Sequence, residues 1–145
     1  MKHILNGSVG LSSRAMRHDL FMLEVSLVVG NDYVVCRPVG DLDSYTVGPF
    51  REALAQAEPS SNLLVDLSAV PFLDSTGLGA LIGCVHRIRE GGGTMAVCAP
   101  KASVAKLLRM TGFDRLVTMT RTLEEAASVL CGDDMPNGKK QPIGA

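Results

Sequence analysis

Between residues 23 and 130 the chain alternates short apolar runs with stretches whose apolar side chains recur at helical spacing. That alternation constrains the fold more than any other feature. In the run 23–29, Leu23, Val25, Leu27 and Val29 fall on one side and Glu24, Ser26 and Val28 on the other. Gly30-Asn31-Asp32 is a turn, and 33–39 is a second apolar run, so the pair predicts a hairpin. Pro38 has no N–H for a ladder and predicts an edge or an irregular strand end. Asp43 or Ser44 is placed to cap a helix starting near Thr46, with Val47, Phe50, Leu54 and Ala57 on one stripe. Pro59-Ser60-Ser61-Asn62 ends that helix, and 63–67 is an apolar run of buried-strand length.

A second helix follows Asp74-Ser75-Thr76-Gly77, with Leu78, Leu81, Ile82, Val85 and Ile88 inward. Gly91-Gly92-Gly93 stops it, because glycine supplies the left-handed geometry of a helix exit. Residues 94–98 read as a buried strand, Pro100 opens a third helix with Val104, Leu107 and Leu108 inward, and Gly112 ends it. Residues 116–119 form a short strand, and Thr122 and Glu125 have capping-box spacing before a last helix carrying Leu123, Ala127 and Leu130. The order β-β-α-β-α-β-α-β-α requires parallel crossovers after an antiparallel hairpin. It predicts an α/β fold with a mixed, mostly parallel sheet of about five strands and about four helices.

The chain has 145 residues, enough for one domain, which the pattern places at 22–131. Residues 1–21 read as a flexible N-terminal extension and 132–145 as a flexible tail rich in Gly, Pro and charge. Arg14, Arg17, His18 and Asp19 interrupt any continuous signal-peptide core, so the expected location is cytoplasmic. No 18-residue apolar run predicts membrane insertion. Fourteen Lys and Arg against fifteen Asp and Glu leave a formal charge of −1, which gives no general attraction to nucleic acid. Cys36, Cys84, Cys98 and Cys131 contain no CxxC pair and read as reduced core thiols, with a regulatory disulfide left open.

The chemistry on offer is sparse. Ser75 sits at a strand-to-helix junction, but Leu73 stands where a nucleophile elbow needs glycine. His3 and His18 lie in the extension, and His86 lies about three turns along the helix from Ser75, out of reach as a base. There is no phosphate-binding loop, and Gly77, Gly79 and Gly83 read as close packing of helix on sheet. Asp41 and Asp43 are too few oxygens for a hard metal ion and read as turn and cap residues. The expectation is no catalytic residue, no metal and no cofactor. Ser75 keeps two readings. As an N-cap it satisfies an orphan N–H, and its loss would cost about 1 kcal/mol. As an exposed hydroxyl beside the positive end of a helix dipole, it is a place where the fold tolerates added phosphate.

The stretch Leu64-Val65-Asp66-Leu67-Ser68-Ala69-Val70-Pro71-Phe72-Leu73-Asp74-Ser75-Thr76-Gly77-Leu78 resembles the signature of the STAS domain in its anti-anti-sigma factor form. Gly40-Asp41-Leu42-Asp43, Gly91-Gly92-Gly93, and Val104 to Leu108 followed by Thr111-Gly112-Phe113 resemble further family features, and the likeness spans about residues 22–131. The resemblance implies the STAS fold and a partner switch. An anti-sigma factor with a GHKL-type serine kinase fold binds the unphosphorylated protein and so frees a sigma factor. Phosphorylation on Ser75, with Thr76 as a minor acceptor, ends the complex, and a PP2C-type phosphatase reverses it. By the same resemblance Asp41, Asp43, Asp74, Ser75, Thr76, Gly77 and Leu78 form the partner-binding face, and the protein is a monomer or weak dimer. The other reading of this family likeness is a scaffold or regulatory subunit of a stressosome-like or transporter complex.

Overall fold

The structure, a computed structural model, describes residues 23–131 apart from Asn31 and Ser60. The expectations for 1–21 and 132–145 lie outside the described residues. Among the described residues the elements are, in order, β1 (Glu24–Val29), β2 (Val34–Val39), α1 (Val47–Ala55), β3 (Leu63–Asp66), α2 (Ser75–Glu90), β4 (Met95–Cys98), α3 (Ala102–Met110), a 3-10 turn (Phe113–Arg115), β5 (Thr118–Thr120) and α4 (Leu123–Cys131). The expected order of strands and helices is the observed one.

The sheet order is β1-β2-β3-β4-β5. β1 runs antiparallel to β2, with Val29 opposite Val34, and every later pair is parallel. Gly30 N–H donates to the Tyr33 carbonyl at 2.9 Å and closes the hairpin. Pro38 lies in an interior strand, but pairing with β3 stops at Cys36, so no parallel ladder needs its missing N–H. β3 and β4 are buried on both faces, as continuous apolar runs require. One face carries the main core, where Leu63, Val65, Met95 and Val97 pack with Phe50 and Leu54 of α1, Leu81, Val85 and Ile88 of α2, and Val104 and Leu108 of α3. The other face is covered by α4, whose Ala126 and Leu130 meet Leu64, Ala96 and Cys98.

Several boundaries shift from expectation for local reasons. The third helix begins at Ala102, after Lys101 in an extended conformation, rather than at Pro100. Residues 113–115 take up the chain as a 3-10 turn after Gly112 at φ 84°, which moves the last strand to Thr118–Thr120. In the triple glycine only Gly92 has positive φ. Gly91 and Gly93 are required for another reason: a Cβ on either would collide with the backbone of Pro59 or Ser61. Half of the expected capping box forms, with Glu125 N–H donating to Thr122 Oγ1 at 3.1 Å, while Glu125 Oε1 accepts from the N–H of Arg121, one residue before the cap, at 3.1 Å.

Cys36, Cys84 and Cys98 are buried free thiols, and Cys131 is exposed. Burial raises Cys36 well above the ordinary thiol range, with nearby Cys84 adding to it. Burial likewise pushes Cys84 up to about 11 and Cys98 up to about 12. Such groups stay protonated near neutral pH and are poor nucleophiles, which fits core thiols.

The amino ends of the strands are tied by one side chain. Asn62 Nδ2 donates to the carbonyls of Asp32 at 3.3 Å and Leu130 at 3.1 Å, while its Oδ1 accepts from Thr94 N–H at 3.2 Å. This joins the hairpin, the start of β4 and the end of α4. Asn62→Ala is expected to lower the unfolding free energy by about 2 kcal/mol, since three bonds go together. Urea denaturation at constant m-value checks this. With the amino ends locked, the loops that leave the carboxyl ends of β2 and β3 are the ones that meet at a surface.

Candidate functional site

Two loops build the site, residues 40–46 after β2 and 67–74 after β3. They are joined by an isolated parallel bridge between Leu42 and Leu73. Leu42 N–H donates to the Phe72 carbonyl at 2.9 Å, and Asp74 N–H donates to the Leu42 carbonyl at 3.1 Å. Gly40 N–H also donates to the Ala69 carbonyl at 3.0 Å. Leu42 and Leu73 are buried, 0% and 5% exposed, so their neighbours point outward by the alternation of extended backbone. The bridge therefore sets Asp41 beside Phe72 and Asp43 beside Asp74, on strands about 4.8 Å apart.

The first loop is held by Thr46, a buried polar residue at 2% exposure. Its hydroxyl donates to the Asp41 carbonyl at 2.7 Å and accepts from Asp43 N–H at 3.1 Å. Asp43 Oδ1 in turn accepts from Tyr45 N–H at 2.9 Å and Thr46 N–H at 3.2 Å. Neither Asp43 nor Ser44 caps α1: its N-cap is Thr46, with no side-chain cap bond, and Asp43 instead closes the turn just ahead of it.

At the second loop the structure corrects the capping role of Ser75. Asp74 is the N-cap of α2, extended at φ −108° and ψ −172°. Its Oδ1 accepts from Thr76 N–H at 2.9 Å and Gly77 N–H at 3.1 Å. Ser75 is the first helical residue and is exposed. No hydrogen bond engages its hydroxyl among the described residues. Asp74→Ala is expected to cost about 1 kcal/mol by thermal or urea unfolding, because two helix-end donors lose their acceptor. Ser75→Ala, having no cap to lose, is expected to stay within about 0.5 kcal/mol of the parent.

Thr76 is half-buried, Gly77 is buried, and Leu78 packs partly into the main core. A Cβ on Gly77 would stand 2.7 Å from the Leu42 carbonyl oxygen, 2.8 Å from Leu73 Cδ1 and 2.9 Å from Leu42 Cβ. Its bare backbone is what lets α2 sit against both loops. Close packing explains Gly77 alone: Gly79 and Gly83 are exposed with nothing within 4 Å of an added Cβ, which corrects the packing role expected for them.

The outward face thus gathers Asp41, Asp43, Asp74 and Ser75. The structure adds two residues that sequence reasoning passed over, Tyr45 at 70% and Phe72 at 50% exposure. Their exposure follows from the contact between two loops thirty residues apart, which no local pattern announces. Among the described residues no three His, Cys, Asp or Glu side chains are placed to share a metal ion. His86 is exposed midway along α2, away from Ser75. Among the same residues no helix is long and apolar enough to cross a membrane.

Comparison with known proteins places this geometry. The family model described as the STAS domain matches residues 24–126. An anti-sigma F factor antagonist of Paenibacillus polymyxa is 29% identical over 98 residues, 66% of this chain and 84% of that protein. A crystal structure of an anti-sigma factor antagonist from Mycobacterium paratuberculosis superposes with a TM-score of 0.71 at 23% identity, over 78% of this chain and 97% of that one. The phosphorylated form of the Bacillus cell fate determinant SpoIIAA superposes with a TM-score of 0.57 at 24% identity, over 71% of this chain and 96% of its own.

Proposed function

We propose, since this chain belongs to the STAS domain family, that it is an anti-sigma factor antagonist switched by phosphorylation of Ser75. Its relatives named as anti-sigma factor antagonists are regulatory proteins. One observation carries the residue assignment: Ser75 is exposed at the start of α2 with its hydroxyl unused, because Asp74 does the capping. A phosphoryl group there leaves the cap, the loop bridge and the core untouched. The fold loses nothing, and the surface alone changes.

On this reading the unphosphorylated chain binds an anti-sigma factor of the GHKL serine-kinase type in the cytoplasm and so frees a sigma factor. Asp74 holds the loop that presents the hydroxyl. Asp41 and Asp43 line the same face, while Gly77 and Leu78 shape it from below. Thr76 is the poorer acceptor, being half-buried. Phosphorylation adds about −1.5 to −2 charges. They land beside three carboxylates and, in the complex, beside the anionic nucleotide that the kinase has just used. A dianion without a partner in a desolvated interface weakens it by several kcal/mol. The complex separates, and a PP2C-type phosphatase resets the chain. The chain itself is substrate and switch, with no catalytic group of its own.

The test is co-elution on size exclusion with an anti-sigma kinase, before and after incubation with ATP. Co-elution with ADP that is lost with ATP supports the reading. Co-elution that ATP does not alter excludes the switch. Large homogeneous particles without any kinase would instead indicate a scaffold.

A further inference from the structure

We propose that Tyr45 and Phe72 are the apolar anchors by which this face grips its partner, and that the partner offers an apolar cleft rimmed by basic side chains. The inference rests on the reading of the chain as an anti-sigma factor antagonist and names what its partner must look like.

Three observations support it. Both aromatics are largely in solvent, 70% and 50% exposed, in a chain whose aromatic content is only 4% and which has no tryptophan. Large apolar groups left exposed beside a functional residue mark binding surfaces, and aromatic anchors carry a disproportionate share of interface energy. The backbone that carries them is also held in place. Phe72 sits in the bridge between the loops, one residue from buried Leu73. Tyr45 follows Asp43, whose carboxylate takes the Tyr45 N–H at 2.9 Å. Anchors on a backbone already held in place leave only side-chain freedom to be lost on binding.

The third observation is charge. Asp41 lies beside Phe72, Asp43 and Asp74 lie beside each other across the bridge, and among the described residues no Lys or Arg forms an ion pair with any of the three. The complementary surface is therefore basic around an apolar cleft. Ser75 adjoins this acidic strip, so a phosphoryl group enters where the cleft is filled and dry. The two kinds of contact act differently. Apolar anchors slow dissociation and respond little to salt, while the acidic strip speeds association in a salt-dependent way.

The test uses the full chain with Ser75→Ala as the parent, so that phosphorylation cannot intervene, and binding to an anti-sigma kinase is followed by surface-immobilised kinetics at two salt concentrations. Tyr45→Ala and Phe72→Ala should each raise Kd at least 10-fold, through the dissociation rate, and together at least 100-fold. Asp41→Asn should lower the association rate and flatten its salt dependence. Phe72→Leu, which keeps apolar bulk, should recover most of the Phe72→Ala loss and guards against a merely structural effect, together with unchanged thermal melts. If the double variant binds within threefold of the parent, the anchors are wrong while the switch at Ser75 stands. If salt alters the association of neither the parent nor Asp41→Asn, the basic rim is wrong. If the parent binds no such kinase, both this inference and the proposed function fall. A dimer of this chain dispersed by the double variant, with kinase binding unaffected, would assign the patch to self-association and overturn the proposal.

Discussion

Ser75→Asp is expected to bind an anti-sigma kinase at least 100-fold more weakly than Ser75→Ala, with the two variants equally stable. Equal stability follows from the cap. Asp74 accepts from Thr76 and Gly77, so neither substitution at Ser75 removes a helix-end acceptor. An aspartate in the first turn of α2 even interacts favourably with the helix dipole, by about 0.3–1 kcal/mol at most. The loss of binding arises only in the complex. There the new carboxylate joins Asp41, Asp43 and Asp74 on a face about to lose water, and an unpaired buried charge costs about 3–5 kcal/mol. A factor of ten in affinity is about 1.4 kcal/mol, so a hundredfold loss needs only part of that penalty. Aspartate carries one charge where phosphoserine carries nearly two, so phosphorylation itself should act more strongly. Calorimetric titration of both variants, with thermal melts alongside, measures both halves. Equal affinities would remove Ser75 from the docking face, and an unstable Ser75→Asp would show that the hydroxyl has a structural role after all.

The second large effect is on stability. Gly77→Val is expected to lower the unfolding free energy by about 3 kcal/mol or more, because overpacking a filled site forces backbone to shift. Even a single Cβ there stands 2.7 Å from a backbone oxygen, which has no rotamer by which to move away. For a domain of this size the melting temperature should fall on the order of 15 °C. Gly79→Ala, one half-turn further along α2, is the internal control. Nothing lies within 4 Å of its added Cβ. It should stabilise by about 0.5–1 kcal/mol, since alanine forms helix more readily than glycine. Because Gly77 presses on Leu42 and Leu73, its substitution should also disturb the loop bridge and reduce kinase binding at temperatures where the variant is still folded. If Gly77→Val melts like the parent, α2 is not seated against the two loops as described.

Much of the fold was legible because its signals are local. Period-two alternation in β1, the apolar runs of β3 and β4, and the helical stripes of α1 to α3 each set the identity of an element without help from the rest of the chain. The misplacements have separate causes. Asp74 and Ser75 are adjacent residues of which each is a good N-cap, and only the extended backbone at Asp74 decides between them. Gly91 and Gly93 looked like helix-exit residues, yet their crowding comes from Pro59 and Ser61, some thirty positions earlier. Gly79 and Gly83 looked like packing residues, but α2 turns them to solvent.

The site divides in the same way. Asp41, Asp43, Asp74 and Ser75 stand out through motifs that span a few residues. The bridge from Leu42 to Leu73 is not local, and it is the bridge that turns two separate loops into one surface. The sequence marks Thr46 only as lying near a helix start, whereas its buried hydroxyl is the staple of the first loop. Tyr45 and Phe72 gave no periodic signal because their exposure depends on that pairing. An aromatic residue is ordinarily taken inward, and these two are held outward by neighbours that occupy the core in their place.

The most direct measurement is the intact mass of the wild-type chain after incubation with ATP and an anti-sigma kinase, with Ser75→Ala treated in parallel and the modified residue located by fragmentation. The account predicts the addition of one phosphoryl group on Ser75, absent from the variant, and removed again by a PP2C-type phosphatase. A phosphoryl group on any residue other than Ser75, or none with any anti-sigma kinase that binds the chain, would contradict it.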